Sequence, residues 1–512
     1  MYLHLKPSCD SRQVNPYWIP PTMDYLDPKK ELRHNVILFT GYILLAVAIV
    51  MATLILLKLS YGFGLGKDGT VIQNGLVYFS SQPHPASIYV DGQLKTSKTN
   101  TRMLLPAGIY DVKLARSGYG DWQRKIELDG GDVEHFDYPF LFPKSLVTTK
   151  LQAQPAVPAL MTQSPDRRWL IVQQGAINEF VVYDLKNPAK PAAPMALPAG
   201  SITKATAGET WQLAEWADDN NHLLLQHGFD GRTEYVMANR SEPALSVNLN
   251  TTLAINPAKL TLNNRKYDQY YIYDAATAGL QSVSLKTPVP ASLLARVLAY
   301  KTYDNDTVLY ITDSGAPAGK VLVKLLAGSK TYNIRSLPAG TGYLVDLTTY
   351  SGTMYVAVGA TSDNRVFIYK DPADQLNRQP DHVAVSSQVL RVEAVNYLKF
   401  SDTAQYIMVE NGSHFAVYDI ENKKAYNYTT NLPLDAPQAH AQWMDGNRLL
   451  YVSGAKLAVF DYDNANSRLL MTANSGYLPA FAPDFKFVYS LAPNAAGQLD
   501  LDQTALLIPA DQ

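Results

Sequence analysis

Apolar and polar residues follow two different patterns along the chain. One stretch, NVILFTGYILLAVAIVMATLILL from Asn35 to Leu57, contains no charged residue and no proline. After residue 75, short apolar runs alternate with polar positions at a period of two, which is typical of half-buried β-strands. The pattern predicts one long apolar helix followed by a mainly β protein.

The apolar stretch is long enough to cross a membrane. A helix rises about 1.5 Å per residue, so some 20 residues span the roughly 30 Å hydrocarbon core of a bilayer. A cleavable signal peptide fits poorly, because its shorter apolar core lies close to the N-terminus. A buried core helix is the other alternative. We predict a transmembrane signal-anchor helix at residues 35–58 that contacts the lipid bilayer through Val36 to Leu57.

Basic residues beside this span indicate its orientation. They are Lys29, Lys30 and Arg33 before the span and Lys58 and Lys67 after it. Lys and Arg resist translocation, and the excess before the span favours a cytoplasmic N-terminus. The single cysteine, Cys9, lies on the same side, so the chain beyond the span has no thiol to oxidise. Residues 1–34 are therefore predicted to be a cytoplasmic tail, with the C-terminal domains extracytoplasmic.

The segment after the span is predicted to be a linker and then a small β-sandwich. Residues 59–74 include the glycine-rich run YGFGLGKDGT, which is typical of a flexible linker. Alternation predicts strands at residues 76–80, 87–90, 109–115 and 123–128. The turn signals between them are Asp91-Gly92, Ala107-Gly108 and Gly130-Gly131, and Asp-Gly strongly indicates a hairpin because both residues tolerate positive φ. We predict a sandwich over residues 75–145.

Motifs within this sandwich are those of a known family. They are Pro83-His84-Pro85-Ala86, IYVDG at residues 88–92, LPAG at 105–108, and Gly118-Tyr119-x-x-Trp122. In this order and spacing, residues 75–143 resemble the PEGA domain of bacterial envelope proteins. The resemblance implies an extracytoplasmic spacer or surface-contact module near the cell wall, without catalytic activity. His84 and Pro85 replace the family's Glu and Gly, so no binding role of that glutamate carries over.

Tyr119 and Trp122 have two interpretations. In a domain this small an aromatic pair usually supplies core, because each ring buries about 150–250 Å². The alternative is a platform on which a sugar ring stacks. We expect core residues.

A loose repeat occupies residues 150–512: a polar turn, a run of apolar strand residues, and a second strand that often ends in Tyr-Asp. The turn markers are Asp166, Asp218, Asn264, Asp304, Ser351, Asp402, Asp445 and Asp484. Their successive spacings are 52, 46, 40, 47, 51, 43 and 39 residues. Four short antiparallel strands with turns need about 40–50 residues, so the repeat predicts a seven- or eight-bladed β-propeller. The repeat resembles TolB-like and WD40-like propellers. A linear array of sandwiches is the alternative, although a closed ring leaves fewer exposed strand edges.

Composition excludes several classes of protein. The chain is 47% hydrophobic, with 44 Lys+Arg against 46 Asp+Glu, which is unlike a disordered protein. A net charge of −2 gives no electrostatic reason to expect nucleic-acid binding. One cysteine forms neither an intrachain disulfide nor a four-thiolate zinc site.

Motifs for catalysis and metal binding are absent from the sequence. There is no G-x-S-x-G elbow, H-E-x-x-H, P-loop or dinucleotide fingerprint. Asp461, Asp463 and Asn464 begin like a calcium loop, but Ala465 and Asn466 stand where an EF-hand needs an oxygen ligand and a glycine. We therefore predict no catalytic, cofactor-binding or metal-binding residues and no cofactor.

Two further groups of polar residues are interpreted as structural. His440 stands alone in QAHAQW, and such a histidine is usually a packed or surface residue. The acidic pairs Asp218-Asp219 and Asp304-x-Asp306 fall in predicted turns, where Asp caps local backbone N–H groups.

The predicted order of a membrane anchor, a PEGA-like spacer and a propeller that serves as a binding platform favours a non-enzymatic protein. We predict a membrane-anchored binding or scaffold protein of the bacterial cell envelope, whose propeller contacts a protein or glycan of the cell wall or envelope. The alternative is an anchored hydrolase or lyase acting on envelope glycans in the central pocket of the propeller. Two carboxylates about 5–10 Å apart in that pocket would favour the enzyme, and an uncharged or plugged channel would count against it.

Overall fold

A computed structural model describes residues 28–60, 62–65, 70–206, 208–304, 306–340, 342–380, 382–436 and 440–511. Cys9, Lys67 and most of the predicted tail lie outside the described residues. The chain forms two compact units. The first holds the described residues up to Phe79 with Thr101–Tyr110 and Ile126–Phe136, and the second holds Ser80–Asn100, Asp111–Lys125 and the chain from Asp137.

The first element is the long helix α1, Pro28–Ser60. Its segment Leu32–Ser60 contains an 18-residue stretch with a mean hydropathy of 2.6, none of which is buried against protein. Within the apolar run, the hydroxyls of Thr40 and Thr53 donate to the carbonyl oxygens of Val36 and Ile49 at 2.7 and 2.8 Å. These bonds satisfy the hydroxyls inside the helix. By length and composition, α1 is able to span a membrane, as the sequence predicts.

In the described chain, eight strands follow and form two four-stranded sheets. Their bounds are β1 Phe63–Leu65, β2 Val71–Phe79, β3 Ser87–Val90, β4 Gln93–Lys98, β5 Thr101–Pro106, β6 Gly108–Ala115, β7 Trp122–Leu128 and β8 Val133–Phe136. In sheet A, β2 pairs with β1 and β5 antiparallel and with β8 parallel. Sheet B has the order β4-β3-β6-β7. That the two sheets are layers of one sandwich stays a prediction.

The sequence prediction for this region is correct in part. The four predicted strands correspond to β2, β3, β6 and β7, whereas β4, β5 and β8 were missed. Asp91 and Gly92, with φ of 51° and 75°, join β3 to β4 in the hairpin that the Asp-Gly signal indicates. The segment interpreted as a linker contains β1 and the start of β2, which pair with each other.

Eight four-stranded antiparallel sheets follow in the described chain, here numbered 1 to 8. Sheet 1 comprises β10 Met161–Gln163, β11 Trp169–Gln173, β12 Glu179–Asp184 and β13 Ala193–Ala196, and sheet 2 comprises β14 Thr210–Trp216, β15 His222–Phe229, β16 Arg232–Asn239 and β17 Val247–Asn248. Sheet 3 comprises β18 Lys259–Leu262, β19 Gln269–Asp274, β20 Gly279–Ser284 and β21 Ala291–Leu294, and sheet 4 comprises β22 Val297–Tyr303, β23 Thr307–Thr312, β24 Lys320–Ala327 and β25 Lys330–Pro338.

Sheets 5 to 8 continue the series. Sheet 5 comprises β26 Tyr343–Tyr350, β27 Thr353–Ala360, β28 Arg365–Lys370 and β29 Gln388–Arg391, and sheet 6 comprises β30 Tyr397–Phe400, β31 Tyr406–Glu410, β32 His414–Asp419 and β33 Lys424–Thr429. Sheet 7 comprises β34 Gln442–Trp443, β35 Arg448–Ser453, β36 Lys456–Asp461 and β37 Arg468–Thr472, and sheet 8 comprises β38 Ala480–Phe481, β39 Phe487–Pro493, β40 Leu499–Ala505 and β9 Val147–Ala153. Short helices α2 Leu249–Thr252 and α3 Pro372–Arg378 lie in connections between strands.

The series of sheets closes on itself. The fourth strand of sheet 8 is β9, which precedes sheet 1 along the chain and pairs with β40. Leu170 and Val172 of sheet 1 pack in one core with Leu491 and Leu501 of sheet 8. Neighbouring sheets elsewhere share cores in the same way, for example sheets 4 and 5 and sheets 5 and 6. Neighbouring sheets are therefore joined by packed side chains, and the last sheet packs on the first.

Candidate ligand-binding cavity

The eight predicted turn markers occupy one equivalent position. Each lies in the connection between the first and second strands of its sheet, so the repeat found in the sequence is confirmed. Three of the marker carboxylates, those of Asp166, Asp445 and Asp484, accept hydrogen bonds from local backbone N–H groups, as expected for turn residues. In sheet 7, for example, Asp445 Oδ1 accepts from the backbone N–H groups of Asn447 and Arg448 at 2.7 and 2.8 Å. Asp219 does the same for Asn221 and His222.

A cavity of about 730 Å³ opens beside these turns. Its lining comes from the first strands of sheets 2 to 6 and from the turns that follow them. The first strands of sheets 2 and 3, of sheets 4 and 5, and of sheets 5 and 6 are neighbours, so this cavity lies along the first strands of the series. The charged residues that line it are Glu215, Arg265, Lys301, Asp304, Asp346, Lys399 and Asp402.

Two carboxylates in the cavity connect neighbouring first strands. Glu215 on β14 accepts a hydrogen bond from the backbone N–H of Leu262 on β18 at 3.0 Å. Asp346 on β26 accepts from the backbone N–H groups of Leu347 and Phe400 at 3.0 and 3.1 Å. Burial raises the pKa of Glu215, although its hydrogen bond and nearby cations oppose that shift. The two acids are thus held in one cavity in different environments.

Two lysines face the same cavity. Lys301 Nζ lies 3.6 Å from Asp346 Oδ1. Lys399 Nζ donates to Gln442 Oε1 at 2.9 Å, and burial lowers the pKa of Lys399. The cavity is therefore charged, and it presents both cations and carboxylates to a ligand.

His440 lies next to this cavity. Its ring stacks on Tyr397, a lining residue, with the ring centroids 4.0 Å apart, and its Nδ1 lies 3.0 Å from Glu410 Oε1. Burial raises the pKa of Glu410 and raises the pKa of Tyr397 to about 12. His440 is a packed residue, as predicted, but its pairing with Glu410 was not foreseen. The two are 30 positions apart and no spacing rule links them.

The segment that began like a calcium loop has another role. Its Asp461 is buried and accepts hydrogen bonds from Trp122 Nε1 at 2.9 Å and Asn466 Nδ2 at 2.8 Å. Its Asp463 accepts from Arg124 at 2.6 Å. Across the described residues, no group of three or more His, Cys, Asp or Glu side chains is placed to hold a metal ion.

Arg124 is the centre of this contact. Its guanidinium is almost fully buried and lies over the rings of Trp122, Tyr138 and Tyr462, with distances of 4.8–5.6 Å to the ring centroids. It also donates to the hydroxyls of Tyr138 and Tyr462. A planar cation with five donors suits such a site, because it combines ring stacking with hydrogen bonding to carboxylate. We call Trp122, Arg124, Asp461 and Asp463 the clamp.

Comparison with known families names the segment that carries Trp122 and Arg124. Residues 74–141 match the PEGA domain. Within the PEGA domain, Tyr119 and Trp122 are both fully buried, so neither ring is available to stack on a sugar. Tyr119 also donates from its hydroxyl to Asp511 Oδ2 at 2.8 Å. The motif aromatics of this PEGA domain are therefore core residues that contact the region after it.

The motif that gives the PEGA domain its name borders a second cavity. Pro83 and His84 line a space of about 680 Å³ together with Tyr138, Arg448 and Phe485. Arg448 donates to Asp445 and to the carbonyl oxygen of Tyr138. The side of the PEGA domain that departs from the family pattern thus lies against sheets 7 and 8.

Comparison with solved structures gives β-propeller proteins. The β-propeller domain of Myceliophteria thermophila Cps50 (Swd1) has 8% identity and a TM-score of 0.38, and the match covers 71% of this chain and 100% of that one. Kluyveromyces lactis Hsv2 has 10% identity and a TM-score of 0.38, with 61% and 98% covered. An oligogalacturonate lyase in complex with manganese has 12% identity and a TM-score of 0.36, with 72% and 97% covered. Among curated proteins, no sequence matches the chain.

Proposed function

We propose that this protein is a membrane-anchored binding protein of a bacterial cell envelope. In this proposal the eight sheets are the blades of an eight-bladed propeller, α1 inserts in the bilayer with the preceding tail in the cytoplasm, and the PEGA domain is an extracytoplasmic spacer. The propeller binds a protein or glycan of the wall or envelope through the charged cavity of sheets 2 to 6. That cavity is the observation that carries the proposal.

The clamp joins the segment Asp111–Lys125 to sheet 7. Buried hydrogen bonds from Trp122 and Arg124 reach Asp461, the last residue of β36, and Asp463 in the turn between β36 and β37. Tethering confines the cavity to one surface and raises its effective concentration for partners there.

Membrane insertion is tested by placing charge in the middle of α1. Each arginine at the centre of a span costs about 2.5–3.5 kcal/mol on insertion scales. We expect the double variant L45R/V47R to leave the carbonate-resistant membrane fraction, while the control L45A/V47A stays in it. Equal retention of the arginine variant would contradict the anchor.

Binding is tested by sedimenting insoluble cell-wall material with the full-length protein in detergent. We expect the wild type to sediment with it, and the variant K301E, which replaces a cavity cation by an acid, to sediment less. The control K424E changes an outer strand of sheet 6. Sedimentation unchanged in K301E would place binding elsewhere.

A second candidate function is a hydrolase or lyase acting on envelope glycans. It is favoured by the presence of Glu215 and Asp346 in one cavity, with the pKa of Glu215 raised by burial as a general acid requires. The test is release of soluble sugar from wall glycans by the wild type and by E215Q and D346N. Release that depends on both carboxylates would favour the enzyme over the binding protein.

A further inference from the structure

Most carboxylates around the cavity already form ion pairs or hydrogen bonds with groups of the protein. Asp402 pairs with Arg167 Nη2 at 3.0 Å. Asp346 accepts two backbone N–H bonds and also faces Lys301. Glu215 accepts from a backbone N–H, and burial raises its pKa, so the cavity weakens its negative charge. Asp304 lies exposed at the rim.

The cation Lys399 has no such commitment. Its ammonium carries three donors, and within the described chain the hydrogen bond to Gln442 Oε1 is the one it makes. No described carboxylate lies within ion-pair distance of it, and Asp346 and Asp402 act on it only from farther away. A partly buried ammonium with unused donors is costly unless a counter-charge is supplied.

Lys301 and Lys399 share this part of the cavity. They come from β22 of sheet 4 and β30 of sheet 6, on either side of β26, which carries Asp346. Burial lowers the pKa of Lys399, and the charge of Lys301 adds to that shift while Asp402 and Asp346 oppose it. Lys301 already has Asp346 beside it, so the counter-charge is needed mainly by Lys399. An added anion would supply that counter-charge and accept the donors that the described chain leaves unused on the Lys399 ammonium.

We propose that the cavity binds the oxyanion of an acidic ligand between Lys301 and Lys399. The oxyanion is a carboxylate or a phosphate, and the rest of the ligand occupies the 730 Å³ that the first strands enclose. The inference rests on the proposed function, in that the propeller is taken to be the binding body, and it names the ligand class for that site. The Lys399 ammonium is the main contact, because the protein leaves its donors unused.

The test is titration of the full-length protein in detergent with inorganic phosphate and, separately, with acetate, at ionic strength held constant with chloride. Broadening of the phosphate ³¹P signal and saturation transfer to the acetate methyl group report binding. We expect K399Q to weaken binding at least 10-fold, K399R to retain most of it, and K301Q to weaken it by a smaller factor. The control K424Q should match the wild type.

Three outcomes are distinguishable. Binding of both anions that depends on Lys399 supports the site, and binding of one of them assigns the oxyanion to that source. Absence of binding by the wild type, or equal binding by K399Q, overturns it. Membrane extraction and wall sedimentation are separate measurements, so failure of the oxyanion site leaves the proposed function standing, and the reverse also holds.

Discussion

The indole N–H of Trp122 donates a hydrogen bond of 2.9 Å to the carboxylate of Asp461, 339 positions later in the chain. Both side chains are almost fully buried. Burial raises the pKa of Asp461, and the cations of Arg448 and Arg124 oppose that shift. A buried carboxylate in this position depends on every donor that points at it.

Removing the donor of Trp122 should destabilise the protein. W122F keeps a large ring but leaves Asp461 one hydrogen bond short, and we expect a loss of about 1–3 kcal/mol in the free energy of unfolding. The matched control is W211F, which removes an indole bond of 2.8 Å to a neutral acceptor, the carbonyl oxygen of Ile177. Denaturant unfolding followed by circular dichroism measures both. Equal losses in the two variants would show that the charge of Asp461 is irrelevant.

Arg124 and Asp463 should be energetically coupled. R124M leaves Asp463 without its cation and leaves Asp461 with Arg448 alone, and it should cost about 3–5 kcal/mol in the free energy of unfolding. D463N alone should lower the free energy of unfolding by less. In the double variant the loss should differ from the sum of the two single losses by a coupling energy of about 1–3 kcal/mol. Unfolding midpoints of the four proteins measure that coupling. Strict additivity would contradict the clamp as a cooperative unit.

Closure of the series of sheets predicts that Leu501 supports the whole propeller. Its side chain is fully buried in the core between sheets 8 and 1, so L501A should cost about 2–5 kcal/mol through lost burial and a cavity. L469A is the control, because Leu469 in sheet 7 is 46% exposed. Differential scanning calorimetry should show the L501A transition lowered as one peak. A new, separate low-temperature peak would mean that the sheets unfold independently.

Acid should weaken the pair of Arg168 and Asp184. The guanidinium donates to both carboxylate oxygens at 3.1 and 3.0 Å and lowers the pKa of Asp184 to about 2. A lowered carboxylate pKa stabilises the fold above the unfolded-state pKa of about 4, and that stabilisation is lost as the pH falls towards about 2. Because Arg168 is exposed, solvent screens the pair, and we expect the loss of stability to be smaller than for a buried ion pair.

The variant D184N isolates this effect. At pH 7 it should be less stable than the wild type, and the difference should shrink between pH 4 and pH 2 when unfolding midpoints are compared across that range. A difference that stays constant over these pH values would show that the charge of Asp184 contributes nothing.

Much of the local structure could be predicted because it depends on neighbouring residues. The uninterrupted apolar run predicted α1, and the pair Asp91-Gly92 predicted the hairpin of β3 and β4. The strand β4 was missed because its side chains are mostly exposed on both faces. The burial of β5 alternates, but its exposed face carries Leu104 between Met103 and Leu105, so apolar and polar residues do not alternate in its sequence. The polar turns predicted one unit per sheet, since each unit repeats the same first connection.

The sequence by itself determined the apolar span, the similarity to the PEGA domain and the repeat of four-stranded units, because each is written in residues close together along the chain. Only the tertiary structure decided which distant side chains meet. It placed Asp461 and Asp463 against Trp122 and Arg124 rather than in an ion site. It also brought Glu215, Lys301, Asp346 and Lys399 from four sheets into one cavity. The physical reason is that these contacts depend on how whole sheets pack in sequence, and no local spacing encodes that packing.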